Sequence, residues 1–316
     1  MRVRRSMAGI ATILAATLVL TACGGDDDDG DAGSDSNGGD KGNVVIGSAG
    51  FTEIELMAQM YALLLEDAGY TTEVQVVENR ELYEPALEDG AIDVVPDYAA
   101  TMTEFLNAKV NGADAEQVAD PDVDATVEAL RSLAEPLGLT VLEASEAADQ
   151  NAFVVTTAFA EENDLETLSD LAALGQPVVL AATEECPTRQ FCQLALEEYG
   201  IQITEVLPTG FGSVQTKDAV KEGTAQLGLT GTTDATLDDF ELVILDDDKS
   251  LQLADNLIPI VGSEYGDDGD FADALNSLSA ALTTEDLTEL NRKVDAERMT
   301  AEDVARQFLE DNDLIG

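Results

Sequence analysis

Apolar positions along this chain fall into short runs of two kinds. Val44-Val45-Ile46 is a continuous apolar triplet that reads as a buried strand, and the glycine-rich Gly47-Ser48-Ala49-Gly50-Phe51 follows it. Ile54, Met57, Tyr61, Leu64 and Leu65 then recur at helical spacing, and Gly69 supplies a C-terminal stop. Thr52 and Glu55 have the spacing of a capping box, which starts the helix at about Glu53. A strand, a glycine turn and a helix N-terminus form a ready anion site, because the first backbone N–H groups of a helix have no partner inside it. The same pattern also fits an ordinary strand-to-helix turn opening an α/β domain. Phe51 and Thr52, at this turn, are candidate ligand contacts.

The rest of the chain repeats the alternation. Strands are predicted at 72–77, 91–96, 140–142, 152–156, 178–181, 203–207, 226–229, 242–245 and 258–261. Helices are predicted at 81–88, 123–137, 193–199 and 213–221, with a short one opened by Ser169-Asp170-Leu171. Three helices close the chain at 268–281, 285–295 and 301–312. Thr283 and Thr300 are the N-caps of the last two, with Asp286 and Asp303 three residues on. Ligands of open α/β sheets sit beyond the carboxyl ends of strands. Tyr98 and Thr101 follow the 91–96 strand, so both are candidates for a pocket wall, the plainer reading being packing.

Before Val44 the pattern changes. Arg2, Arg4 and Arg5 precede an apolar run from Met7 to Leu20 that is short for a membrane span. The run ends in Leu20-Thr21-Ala22-Cys23, which resembles a bacterial lipoprotein signal and makes Cys23 the lipidated first residue of the mature protein. A plain secretory peptide with an incidental cysteine is the alternative. Residues 1–22 are thus expected to be a leader, and residues 23–43, rich in Gly, Asp, Ser and Asn, a flexible tether. The chain carries 65 acidic and 15 basic residues. Losing the three leader arginines moves the formal charge from −50 to −53. That field repels nucleic acid and anionic lipid surfaces. There is no histidine, which removes the usual general base and the commonest zinc ligand, so no metal or other cofactor is expected.

With Cys23 lipidated, Cys186 and Cys192 are the remaining thiols of an extracytoplasmic protein, and a disulfide between them is favoured. Metal binding lacks further soft ligands, and the spacing is not that of a Cys-x-x-Cys redox pair. The closed loop would hold Arg189 rigid at a strand-to-helix turn as a ligand contact. A surface arginine finding any carboxylate in a very acidic protein is the plainer reading.

Several segments in this order resemble one known family. They are Gly47-Ser48-x-x-Phe51-Thr52-Glu53, Gly90-x-Ile92-Asp93-Val94 with Pro96-Asp97-Tyr98, Leu168-Ser169-Asp170-Leu171, and the Cys186–Cys192 loop with Tyr199-Gly200. Thr233-Asp234, Asp247-Asp248-Lys249, Leu282-Thr283 and Leu290-Asn291 complete the set. From about Val44 to Ile315 the chain resembles the substrate-binding proteins of osmoprotectant ABC importers, those for glycine betaine, carnitine and choline. The resemblance implies an α/β, two-lobed periplasmic-binding-protein fold (type II), with the ligand in a cleft between lobes joined by two crossing strands. Residues 44–150 and 256–316 would form the first lobe and 151–255 the second. It further implies a cage of aromatic rings around a trimethylammonium group, held by cation–π attraction. Carried over by position, Tyr98 matches a cage tyrosine, Phe153 replaces a second, Thr101 matches a carboxylate contact and Arg189 the carboxylate-binding arginine. Gly231 and Asp255 stand where tyrosines are usual, and Ala49 where a lysine is usual. Phe211 and Phe240 are candidates to fill the gap, and Asp255 would pair with a primary or secondary amine.

The function expected is therefore capture of a betaine- or choline-like solute and its delivery to a permease and ATPase, by a monomer anchored outside the cell through Cys23, with no chemistry of its own. The alternatives are a binding protein for another small amine or amino-acid-like solute, a ligand-sensing module on the same scaffold, or an extracytoplasmic enzyme, for which a histidine and a Gly-x-Ser-x-Gly elbow are both missing.

Overall fold

The computed structural model describes residues 41–253 and 255–316. The leader, Cys23 and the tether up to residue 40 lie outside the described residues. Two sheets carry the fold. The first half of the chain supplies β1 (Asn43–Ser48), α1 (Thr52–Asp67), β2 (Thr71–Val76), α2 (Arg80–Glu88), β3 (Val94–Tyr98), α3 (Ala99–Asn111), α4 (Val123–Ala134), β4 (Thr140–Val141) and β5 (Ala148–Asp149). The chain then crosses into β6 (Asn151–Thr156), α5 (Thr157–Asn163), α6 (Leu168–Ala173), β7 (Val178–Ala182), α7 (Ala195–Tyr199), β8 (Ile203–Pro208), α8 (Val214–Lys221), β9 (Leu227–Gly231) and β10 (Leu242–Leu245). It returns through β11 (Asp255–Val261) and ends in α9 (Gly269–Ala281), α10 (Thr284–Asp295) and α11 (Ala301–Asp311).

The first sheet has the order β2-β1-β3-β11-β4, with β1 parallel to β2 and β3, and β11 antiparallel to β3. The second has the order β10-β6-β9-β7-β8, with β7 parallel to β8 and β9. One face of the first sheet buries apolar residues of α1, α9, α10 and α11, including Met60, Leu65, Phe271 and Leu309; the other packs against α2, α3 and α4. At the crossing, β5 pairs antiparallel with the start of β11, Asp149 opposite Asp255. Asp255 therefore belongs to a first-sheet strand, and the return crossing precedes it.

Local expectations fail where their signals are remote. Thr52 and Glu55 do not form a capping box: Phe51 is the N-cap of α1, with no side-chain cap, and Thr52 Oγ1 instead donates to Asp295 Oδ1 at 2.6 Å. The strand expected at 91–96 begins only at Val94, because Ala91 and Ile92 give their N–H groups to Ala86 O at the end of α2. Helix α3 was not expected from the sequence at all. Its N-cap, Tyr98, has no side-chain cap, and its first N–H groups are met by Asp255, some 155 residues away. Helix α7 begins at Ala195, after an irregular wide turn over Gln190–Leu194.

Candidate functional site

A cavity of about 1050 Å³ lies between the sheets, and a second of about 450 Å³ adjoins it, sharing Phe51, Asp149 and Phe211 in its lining. The segments after β1, β3, β7 and β8 all line the larger cavity, so it opens at the carboxyl ends of these strands, the position the chain direction of an open α/β sheet favours.

One end is aromatic and acidic. The rings of Phe51 and Tyr98 lie 6.5 Å apart and within 10° of parallel, and Phe211 sits 5.1 Å from Phe51 at a tilt. Tyr98 Oη donates a short hydrogen bond to Glu53 Oε1. Glu53 Oε2 accepts from Thr233 Oγ1 and Asn291 Nδ2, each at 2.7 Å. Thr233 follows β9 of the second sheet, so this carboxylate ties elements of both lobes. Burial pushes the Glu53 carboxyl up, against the pull of its three hydrogen bonds. Burial, with the charge of Glu53, pushes the Tyr98 phenol well above its ordinary value. A phenol donating to a carboxylate keeps its proton while its ring gains electron density, which strengthens its attraction for a cation.

Asp149 lies beside this group, 4% exposed. Its Oδ1 accepts from Thr232 Oγ1 at 2.9 Å and from Thr233 N at 3.0 Å. Burial, then the charge of Glu53, raises its carboxyl to about 8. A side chain at Gly231 would collide with it, since a Cβ there would stand 2.2 Å from Asp149 Oδ2. The position where the resemblance expects a tyrosine is thus kept bare by a carboxylate. Asp255 also lines the cavity, but its oxygens are occupied by Ala100 N at 2.6 Å, Thr101 N at 3.0 Å and a short bond from Thr101 Oγ1. Burial raises it to about 7, against the hydrogen bonds of Thr101.

The other end holds two arginines. Arg80 makes a two-pronged bond to Asp97 at 3.0 and 2.5 Å, and Tyr83 Oη donates to the same carboxylate at 2.6 Å. Burial alone would depress the Arg80 guanidinium, but the charge of Asp97 raises it. Arg189, from the second lobe, pairs with Glu81 at 2.8 Å and lies 5.6 Å from the centre of the Phe105 ring. Burial and the neighbouring Arg80 lower its guanidinium. Cys186 and Cys192 are disulfide-bonded across this loop, and Asn151 Nδ2 donates to Phe191 O at 2.7 Å, pinning it from β6.

Of the residues singled out in the sequence, Phe51, Tyr98, Thr101, Arg189, Asp255 and Ala49 line the larger cavity, and Phe211 lines both cavities. Three are placed elsewhere than expected. Phe153 is 1% exposed in the core of the second sheet; on its face of β6 the cavity is reached at Asn151, one pleat earlier. Thr52 lines only the smaller cavity, its hydroxyl held by Asp295. Phe240 also lines the smaller one, with Lys217 Nζ 5.5 Å from its ring centre. Glu53, Asp149 and Arg80 were not picked out as site residues. Glu53, Thr233 and Asn291 did sit in quoted motifs, but nothing local marks three residues so distant in sequence as hydrogen-bonded partners. Among the described residues no group of three or more metal-ligating side chains gathers in one place, and no helix is long and apolar enough to cross a membrane.

A family model described as the substrate-binding domain of ABC-type glycine betaine transport systems matches residues 42–311. A glycine-betaine-binding protein of Pseudomonas aeruginosa is 27% identical over 288 residues, spanning 85% of this chain and 88% of that protein. The carnitine transport binding protein OpuCC of Listeria monocytogenes is 22% identical, across 87% of this chain and 88% of its own. Among solved structures, a glycine betaine/carnitine/choline ABC transporter protein superposes with a TM-score of 0.62 at 21% identity, covering 86% of this chain and 98% of that one. Lactococcal OpuAC, closed on glycine betaine, gives 0.59 at 12% identity, covering 86% and 96%. These likenesses establish the two-lobed fold of type II periplasmic binding proteins.

Proposed function

The chain belongs to the family of substrate-binding domains of ABC-type glycine betaine transport systems, and from that we propose that its cleft captures a small organic ammonium solute of the betaine and choline kind. It hands the solute to the permease and ATPase subunits of an importer, working as a monomer held outside the cell by lipidated Cys23, with no cofactor and no chemistry of its own. Residues 44–150 with 255–316 act as one lobe and 151–253 as the other.

The observation that carries the solute class is the trio of Phe51, Tyr98 and Phe211 beside buried carboxylates. Each good aromatic face contributes roughly 0.5–2 kcal/mol to holding a cation, and the acidic surroundings add to the attraction. Calorimetric titration with glycine betaine and choline tests this. Binding is expected for at least one of them, and Tyr98→Ala should weaken it by about tenfold or more, since it removes one ring face and takes the donor from Glu53 Oε1. If neither solute binds the wild type at millimolar concentration, the proposed class is wrong.

A further inference from the structure

Four buried carboxylates stand in or beside the cleft, and three are fully engaged. Both oxygens of Glu53 accept, from Tyr98, Thr233 and Asn291. Both oxygens of Asp97 accept, from Arg80, Tyr83 and the Tyr98 backbone. Both oxygens of Asp255 are taken up by the first turn of α3. Asp149 differs. Thr232 Oγ1 and Thr233 N donate to Oδ1, the Thr233 hydroxyl near this carboxyl donates to Glu53, and no hydrogen bond to Oδ2 is formed among the described residues. That oxygen belongs to a side chain 4% exposed that lines both cavities. It lies against Gly231, a position any side chain would fill at its expense. The strand register places it at the aromatic end. Asp149 is opposite Asp255 on one edge of β11, and Tyr98 is opposite Leu257 on the other.

An oxygen that faces a cavity and gains no donor when a solute displaces the water there is left unpaired at a cost. A fully quaternary ammonium presents only methyl groups and leaves Oδ2 without a hydrogen bond. A protonated amine with one N–H supplies the charge that favours release of the carboxyl's own proton to solvent and the donor that replaces it, and it needs such an acceptor, since it gives up a water on entering the cleft. We infer that Asp149 Oδ2 accepts a hydrogen bond from an N–H on the solute's ammonium, so that the chain prefers incompletely alkylated amines to their quaternary counterparts. The inference rests on the ammonium-solute reading above and narrows it.

Matched pairs that differ by one methyl test it: dimethylglycine against glycine betaine, and N,N-dimethylethanolamine against choline. Each is titrated calorimetrically into the wild-type protein and into Asp149→Asn, whose carbonyl oxygen keeps the bonds to Thr232 and Thr233. The N–H member of a pair should bind the wild type roughly tenfold or more tightly, as a charge-assisted hydrogen bond implies, and Asp149→Asn should bring the pair to parity. Equal or tighter wild-type binding of the quaternary member overturns this inference and leaves the solute class standing. A preference that survives in Asp149→Asn overturns it too. If none of the four binds at millimolar concentration, the solute class falls and this inference with it.

Discussion

The two ends of the cleft are built from similar parts and differ in what they leave unspent. At the arginine end, Arg80 is closed off by Asp97 and Tyr83, while Arg189 holds Glu81 through one nitrogen and keeps a buried Nε that no described residue accepts from. At the aromatic end, three rings line the same cavity as Asp149, whose Oδ2 receives no hydrogen bond among the described residues. One end thus leaves a donor unpaired and the other an acceptor. In a chain of formal charge −50, positive charge would be expected to seek carboxylates everywhere. What distinguishes Arg80 is burial, because a buried ion pair is expensive to break even where it contributes little net stability. Asp97→Ala should therefore give the largest effect of any change in the cleft. It strands a buried guanidinium and a buried phenol, at a cost of about 3–5 kcal/mol in stability. A lowered urea midpoint measures it. A near-unchanged midpoint would mean that Arg80 reaches solvent readily and that the arginine end is less closed than its hydrogen bonds indicate.

The aromatic end should announce itself through pH. The Asp149 carboxyl stands at about 8 in the folded protein, against an ordinary 3.8, because burial and then Glu53 disfavour its charge. Asp255 is raised to about 7 in the same direction, and Glu53 is also raised. Between the ordinary value and the raised one, the folded state holds a proton that the unfolded state has released. The stability linked to that proton is present in full below about pH 4 and is lost as pH rises through about 8. The difference in unfolding free energy between wild type and Asp149→Asn should thus fall as pH goes from 5 to 8, by up to about 1.4 kcal/mol per pH unit. Denaturant titrations at three pH values in that window measure it. A difference flat across the window would mean that Asp149 is already ionised in the empty cleft.

How much of this was legible in the chain divides along the same line. Elements with local signals read well. The caps of α10 and α11, Thr283 with Asp286 and Thr300 with Asp303, are hydrogen-bonded as their spacing suggested, and Cys186 is bonded to Cys192. Helix α3 was missed because its cap is Asp255, and nothing near Ala99 announces it. The site repeats the lesson. Tyr98 stands at a strand end and Phe51 at a glycine turn, local signals that pointed to the cavity both of them line. Phe153 was misplaced because alternation along β6 tells which face a ring takes but not how far along the strand the cleft extends. Asp149 occupies a two-residue strand that, among the described residues, pairs with β11 alone, and its significance depends on the bareness of Gly231, distant in sequence. Contacts between residues that far apart leave no periodicity to read.

The smallest of the expected effects bears on whether the arginine end touches solute at all. Arg189 is half committed: one guanidinium nitrogen holds Glu81 at 2.8 Å, but Glu81 is itself an exposed side chain, so that bond exchanges with water at little cost. A solute carboxylate entering the cleft would displace Glu81 and gain the difference between a buried partner and a hydrated one. Arg189→Ala should then weaken binding of glycine betaine by about fivefold, roughly 1 kcal/mol, and leave choline within about twofold, because an alcohol has no charge to strand. Stability should shift by no more than about 0.5 kcal/mol, in keeping with a pair whose anion is largely solvated. The same calorimetric titration of both solutes decides it. An equal loss for the two would assign Arg189 to holding the Cys186–Cys192 loop against α2 rather than to a carboxylate, and the cleft would then recognise its solute from the aromatic end alone.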